Sequence, residues 1–279
     1  MFIKPRSLNE ALQALAAEGG LPLGGGTDIF PAAVDRQLPG PLVDLKGLAE
    51  IRGITTEAGE IRIGGGTSWS DIARADLPPA CDALRAAARE VGSVQIQNAG
   101  TIAGNLCNAS PAADGVPPLL AMDAEVELVS LAGTRRMPLA SFILGNRRTA
   151  RHASEILSAV VLPRSHEAAS SAFLKLGARR YLVISIIMVA AVVERDDKGR
   201  IAHAAVAVGA GSEVARRMTG LEARLRTAPA GQPASTLVAA SDLELAPIDD
   251  VRASADYRQD AALTLVRRAL AAADRSAHA

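Results

Sequence analysis

Three stretches of this 279-residue chain carry side chains too small to build a core: Gly24-Gly25-Gly26 in LPLGGGTDI, Gly64-Gly65-Gly66 in IRIGGGTSW, and TIAGNLCNASPAADG from Thr101 to Gly115. Glycine admits left-handed backbone and lacks the Cβ that would hold a ligand away from the main chain. Successive amides can then face one concavity and bind an anion such as a pyrophosphate. Thr27 and Asp28 follow the first triplet directly, while Thr101, Asn105, Asn108, Ser110 and Asp114 punctuate the long stretch. All are short polar groups able to bond a polyol or a phosphate. Neither loop holds a Lys or Arg, so amide dipoles rather than ion pairs would neutralise the anion. A single triplet is also what a tight turn requires, and two unrelated loop crossings would read the same way. No Gly-Lys-Ser/Thr follows any triplet, which excludes a P-loop ATPase, and no GxGxxG opens a βαβ unit.

Other chemistry is sparse. Cys81 and Cys107 are too few for a disulfide framework, an iron–sulfur cluster or a four-ligand metal site. They read as free thiols in a reducing compartment. His152, His166, His203 and His278 are scattered without ligand spacing, so no resident metal is expected, and no nucleophile–base triad stands out. Thirty basic and thirty acidic residues leave no formal net charge, which argues against nucleic acid as a partner. The N-terminal MFIKPRSLNE lacks the apolar stretch of a secretory signal. The longest apolar run, Tyr181–Val193, falls short of the roughly 20 residues that span a bilayer. A cytoplasmic location and no transmembrane segment are therefore expected.

The elements that would position these loops follow from the pattern. Ser7-Leu8-Asn9-Glu10 is a capping box, with Leu8, Leu12 and Leu15 on one helical face and Gly19-Gly20 as the stop. LPL and IRI are short strands running into the glycine triplets, TSWSDIARA starts a helix, and Ala80–Glu90 is a helix ended by Gly92. Glu125–Leu131 and Thr134–Leu139 form a hairpin around Ala132-Gly133, and Glu155–Leu162 is a strand closed by Pro163. Polar Arg164–Ala169 marks a domain boundary. Beyond it come strands near 171–177, 181–194 and 202–210, the second buried on both faces, then helices near 212–226 and 258–274. Seven aromatic residues leave the core to Leu, Val, Ile and Ala. The fold class is α+β.

In this order, LPLGGGTDI, GSVQIQNAGTIAGNLCNASPAADGVPPLLAMDAEVEL, GTRRMPLASFILG, EILSAVVLP and SAFLKLGARR resemble the flavoprotein (medium) subunit of molybdenum hydroxylases, the xanthine dehydrogenase and carbon monoxide dehydrogenase family. The resemblance covers nearly the whole chain, and Thr101–Asp114 is its most specific part. It implies an FAD-binding domain of the PCMH type, vanillyl-alcohol-oxidase-like with two α/β subdomains, over residues 1–165. A small α+β domain would follow over 170–279. It also implies that Pro22, Leu23, Gly24, Gly25, Gly26, Thr27, Asp28 and Ile29 cradle the FAD pyrophosphate and ribityl. Thr101, Ile102, Ala103, Gly104 and Asn105 would hold the other side. Asp114 would accept bonds from the FAD polar chain, with Ser110 on the same loop. Leu157 would touch the adenine or ribityl region, and Lys175 would lie near the isoalloxazine. Loss of Asp114 would lower flavin occupancy without unfolding the chain.

Two positions depart from the family pattern. Ala103-Gly104 stands where Gly-Gly is common, and Tyr181-Leu182-Val183 stands where an acidic residue and Ile-Ala commonly follow the arginines. Tyr181 fills the core or shields the flavin. The resemblance further implies a large molybdopterin subunit and a small subunit with two [2Fe-2S] clusters as partners, in a dimer of heterotrimers. Electrons would pass from the clusters through FAD to an external acceptor. A stand-alone FAD-dependent oxidoreductase of the same fold is the main alternative, and an assembly subunit without FAD the second.

Overall fold

The computed structural model describes residues 1–34, 38 and 40–276, with side chains to Asp274; His278 lies outside the described residues. Strand β1 (Phe2–Ile3) leads into helix α1 (Leu8–Glu18), then β2 (Leu21–Leu23) and β3 (Leu42–Asp44). Ser7 caps α1 by accepting from the Glu10 amide at 3.1 Å, and Gly19 ends it at φ 60°. The Glu10 carboxylate takes the Arg6 amide at 2.7 Å, one residue before the amide that a capping box engages. Ala11, Leu12 and Leu15 are buried against Val43 and Ile51. The three strands form a small parallel sheet in the order β1-β3-β2.

The second sheet is antiparallel. It begins with β4 (Ile54–Thr56) and β5 (Glu60–Gly64), and five helices follow: α2 (Trp69–Arg74), α3 (Asp82–Glu90), α4 (Val94–Ala99), α5 (Ile102–Asn108) and α6 (Val116–Ala121). The hairpin β6 (Glu125–Ser130)–β7 (Gly133–Pro138) joins it; helix α7 (Leu139–Phe142) and a separate two-stranded hairpin β8 (Ile143–Gly145)–β9 (Arg148–Thr149) follow, and β10 (Ile156–Pro163) then completes the sheet in the order β4-β5-β10-β6-β7. The small-residue stretch is thus helical in its first half, because Thr101 accepts from the Gly104 amide at 3.0 Å and caps α5.

The third sheet comprises β11 (Ser170–Leu176), β12 (Ile187–Arg195), β13 (Ile201–Gly209) and β14 (Arg216–Arg217), all antiparallel in that order. Helices α8 (Thr219–Arg226) and α9 (Ala255–Ser276) follow. Strand β12 is buried on both faces. Met188, Ala190 and Val192 join the core shared with α2, α3, α5 and α6, whereas Ile187, Val189, Ala191 and Val193 face α8 and α9.

The structure corrects the sequence reading at two places here. Residues Tyr181–Ile184 are an exposed loop rather than the start of a strand, with Leu182 at φ 53° and Tyr181 63% exposed. Tyr181 therefore does not fill the core. The apolar run misled because its first four residues serve a surface. The helix expected over 212–226 begins only at Thr219, since Arg216–Arg217 pair with β13 as a strand. The architecture is α+β.

Candidate functional site

The three glycine-rich segments meet at one cleft of about 740 Å³, within the roughly 300–1,000 Å³ usual for small-molecule and cofactor sites. Strand β2 delivers the first. Leu23 is buried and its carbonyl accepts from the Leu45 amide at 2.9 Å, so the chain leaves the sheet at Gly24. Gly26 takes φ 71°, which turns the loop, and its carbonyl accepts from the Phe30 amide at 3.1 Å. Among the described residues, no group accepts from the amides of Gly25, Gly26, Thr27 or Asp28. Four successive free donors beside a cleft are able to bind an anion.

The other two segments are spent on each other. Gly65 donates to Ser158 O at 2.7 Å, Gly66 to Ile51 O at 2.7 Å and Thr67 to Gly64 O at 2.9 Å. Ile102 donates to Thr67 O at 3.1 Å and Ala103 to Gly65 O at 3.0 Å. Their glycines serve loop-to-loop contact. A Cβ on Gly65 would overlap the Leu157 carbonyl, one on Gly25 would overlap the Ala99 carbonyl, and one on Gly24 would stand 2.7 Å from Thr101 Oγ1.

Polar side chains complete the walls. Asp28 Oδ1 accepts from Asn108 Nδ2 at 3.1 Å. Asn105 lines the cleft with its Oδ1 buried and unpartnered among the described residues, an acceptor that wants a donor. Asp114 is 7% exposed. Its Oδ2 accepts from Lys175 Nζ and its Oδ1 from Ser185 Oγ, both at 2.7 Å. Burial pushes its carboxyl up, against the opposing pull of Lys175. Lys175 Nζ also donates to Glu90 O at 3.2 Å.

Of the residues singled out from sequence, Pro22, Gly24, Gly25, Gly26, Thr27, Asp28, Ile29, Thr101, Ala103, Gly104, Asn105, Ser110, Asp114 and Leu157 all line the cleft. Leu23 and Ile102 stand behind it in the core, and Lys175 stands one contact back, on Asp114. Sequence reasoning missed Lys46, Arg147 and Arg151, which also line it. Arg151 Nη1 is tied to the Glu155 carbonyl at 2.7 Å. Lys46 and Arg147 have no ion pair among the described residues. The cleft therefore has cations free of ion pairs besides its amides, brought in from outside the glycine loops. The only signal for Arg147 was its place in a tight hairpin, where it takes φ 55°. Ile184, from the exposed loop, lines the cleft too. Burial raises the Cys81 thiol to about 11, and the Cys107 thiol, half-buried on the cleft wall, is likewise raised.

The residues fit a long, anionic, hydroxyl-bearing cofactor: free amides and unpaired cations for phosphate, Asp28 and Asn105 for hydroxyl or amide groups, and the half-buried Leu45, Val91 and Ile96 side chains for an aromatic ring.

Comparison with known proteins agrees. Residues 1–165 match the family model described as the FAD binding domain in molybdopterin dehydrogenase, and residues 171–273 match the CO dehydrogenase flavoprotein C-terminal domain. The nicotinate dehydrogenase FAD-subunit of Eubacterium barkeri is 38% identical over 206 residues, which cover 71% of this chain and 70% of that protein. The xanthine dehydrogenase FAD-binding subunit of Escherichia coli O157:H7 is 32% identical over 90% of this chain and 87% of that one. A chain of the carbon monoxide dehydrogenase of Hydrogenophaga pseudoflava superposes with a TM-score of 0.88 at 28% identity, covering 98% of this chain and 96% of its own.

Proposed function

We propose a function from one premise: the chain belongs to the family of FAD-binding domains in molybdopterin dehydrogenases. It is the flavoprotein subunit of a multisubunit molybdenum hydroxylase, an oxidoreductase, and FAD is its cofactor. The molybdopterin and [2Fe-2S] clusters belong to partner subunits, and the chain's two cysteines leave it no clusters of its own. The observation that carries this reading is the row of amides at Gly25–Asp28, without an acceptor among the described residues, on the wall of a cleft of cofactor size.

The finer assignments are part of the same proposal. Residues 1–165 form a PCMH-type, vanillyl-alcohol-oxidase-like domain with two subdomains, and residues 170–279 form the C-terminal domain. The amides of Gly25–Asp28 hold the pyrophosphate, with Lys46 and Arg147 adding charge from across the cleft. Thr101–Asn105 sets the opposite wall by docking on Gly65 and Thr67. Asp28 and Asn105 take hydroxyl groups of the ribose or ribityl chain. Asp114 accepts bonds from the FAD polar chain, with Ser110 on the same loop; Leu157 touches the adenine or ribityl region, and Lys175 lies near the isoalloxazine and holds the Asp114 carboxylate in place. FAD, when bound, accepts electrons from the partner's clusters and releases them to an external acceptor. The chain's task is to bind, orient and keep water off it. The complex is a dimer of heterotrimers.

Co-purification tests this. Expressed with its neighbouring subunits, the chain is expected to elute with a large and a small polypeptide, and iron–sulfur absorbance should track all three. A flavin-loaded chain that elutes alone and oxidises a small molecule unaided would instead make it a self-sufficient flavoenzyme.

A further inference from the structure

One buried cation outside the cleft bonds the two segments that reach its Asp114 wall through Ser185 and Ala210. Arg258, in the first turns of α9, is 3% exposed. Its Nη1 donates to the carbonyls of Ile186 at 2.6 Å and Ala210 at 3.0 Å, and its Nη2 to Asp250 Oδ1 at 2.7 Å. The β12–β13 ladder ends with the pair Met188–Gly209, so these two carbonyls lie just past the last ladder bonds.

Each clamped segment then reaches the cleft. Ser185, next to Ile186, donates to Asp114 Oδ1 at 2.7 Å, and the Ala210 amide donates to Pro111 O at 3.0 Å. Ala210 does so from φ 61°, a conformation that costs a non-glycine residue. Pro111 and Asp114 both belong to the Ser110–Asp114 wall. We propose that Arg258 is a positioning residue for the cofactor cleft, fixing through Ile186 and Ala210 the two arms that hold the Ser110–Asp114 wall. A planar guanidinium presents its donors on separate nitrogens in a rigid fork, so it holds two carbonyls and a carboxylate at fixed separation, whereas an ammonium is a flexible point donor and an apolar side chain bonds none of them. Burying it costs desolvation, and what is gained is the separation of the two arms.

The inference rests on the cleft being the FAD site, and the test separates the two. Flavin-stripped full-length protein is titrated with FAD, read by flavin fluorescence, and its melting temperature is measured alongside. The comparison is Arg195→Gln, because Arg195 pairs with Asp274 at 2.6 Å near the other end of α9, roughly 24 Å along the helix from Arg258, and is no part of the cleft. Arg258→Gln is expected to weaken FAD binding about tenfold or more. Arg195→Gln, with a similar loss of melting temperature, should leave binding within about threefold. Arg258→Lys should recover part of the affinity. Ser185→Ala, which cuts one arm and leaves the core intact, gives the same readout should Arg258→Gln not fold, with weakened binding expected. Unchanged affinity in Arg258→Gln or, in its place, Ser185→Ala overturns the inference, as does an equal loss in Arg195→Gln. A parent chain that binds no FAD overturns the cofactor reading first, and this inference with it.

Discussion

Ala103 donates its amide to the carbonyl of Gly65 at 3.0 Å, joining two segments that the sequence separates by a whole run of helices. That bond, with its neighbour from Ile102 to Thr67 at 3.1 Å, means the TIAGN segment cannot offer those amides to a ligand. The free amides lie elsewhere, at Gly25–Asp28. Substitutions in the two regions should therefore fail differently.

Gly25→Ala should abolish tight flavin binding without unfolding the chain. Its Cβ would overlap the Ala99 carbonyl, so the loop must lift and its amides lose their aim. An affinity loss of about tenfold or more is expected by FAD titration, as for losing one hydrogen bond to a charged group. The melting temperature of the flavin-free protein should change little.

Gly65→Ala should act on stability. The added Cβ meets the Leu157 carbonyl and lies 3.0 Å from the Ala103 Cβ, inside the packed junction itself. Overpacking of this kind costs about 1–3 kcal/mol. A lower melting temperature of the flavin-free chain checks it.

The sequence made the site legible where composition was extreme. Three runs of small residues pointed to one cleft, and most of the residues named from them line it. It was silent where the cause is tertiary. Nothing local marks Arg147 or Lys46 as cleft residues, because hairpin β8–β9 and the end of β3 are carried there by the sheets. Nothing local shows that the glycines of Gly64–Gly66 serve loop packing rather than a ligand, since both uses need the same missing Cβ. The apolar run from Tyr181 read as continuous strand because hydrophobicity alone cannot tell an exposed loop from a buried strand. The pairing of Arg216–Arg217 on β13 was invisible for the converse reason, since two charged residues carry no strand pattern.

Asp114 tests how the cleft wall is held. The chain without Asp114 is still expected to fold, but with less stability, because Asp114→Ala strands the buried Lys175 ammonium. Breaking one partner of a buried pair costs about 3–5 kcal/mol, so the melting temperature should fall together with flavin affinity. Asp114→Ala combined with Lys175→Met removes the stranded charge. It should recover much of the melting temperature and little of the affinity. Recovery of both would mean Asp114 matters only as a counter-ion.

Acid should loosen the seam between the second and third sheets. His166 and His203 stack with ring centroids 3.7 Å apart, and His166 Nδ1 lies 2.6 Å from Glu194 Oε2. Burial, then the facing His166, holds the His203 pKa below the ordinary 6.5, while Asp123 and Glu194 pull it up and Arg217 pushes it down. A depressed histidine binds fewer protons folded than unfolded. Its contribution is therefore fully present above pH 6.5 and is lost as pH falls through that value and the lower folded pKa. His203→Gln should flatten the fall of the melting temperature below about pH 6.5. An unchanged slope in the variant would count against the assignment.

The central claim is that this chain carries FAD in the cleft walled by Gly24–Ile29, Thr101–Asn105 and Asp114. The most direct measurement is the visible spectrum of the purified chain, with the released flavin identified by mass and counted against protein. A flavin band, FAD as the released species, and about one FAD per chain are expected. A colourless protein that takes up no flavin when FAD is added back would contradict it.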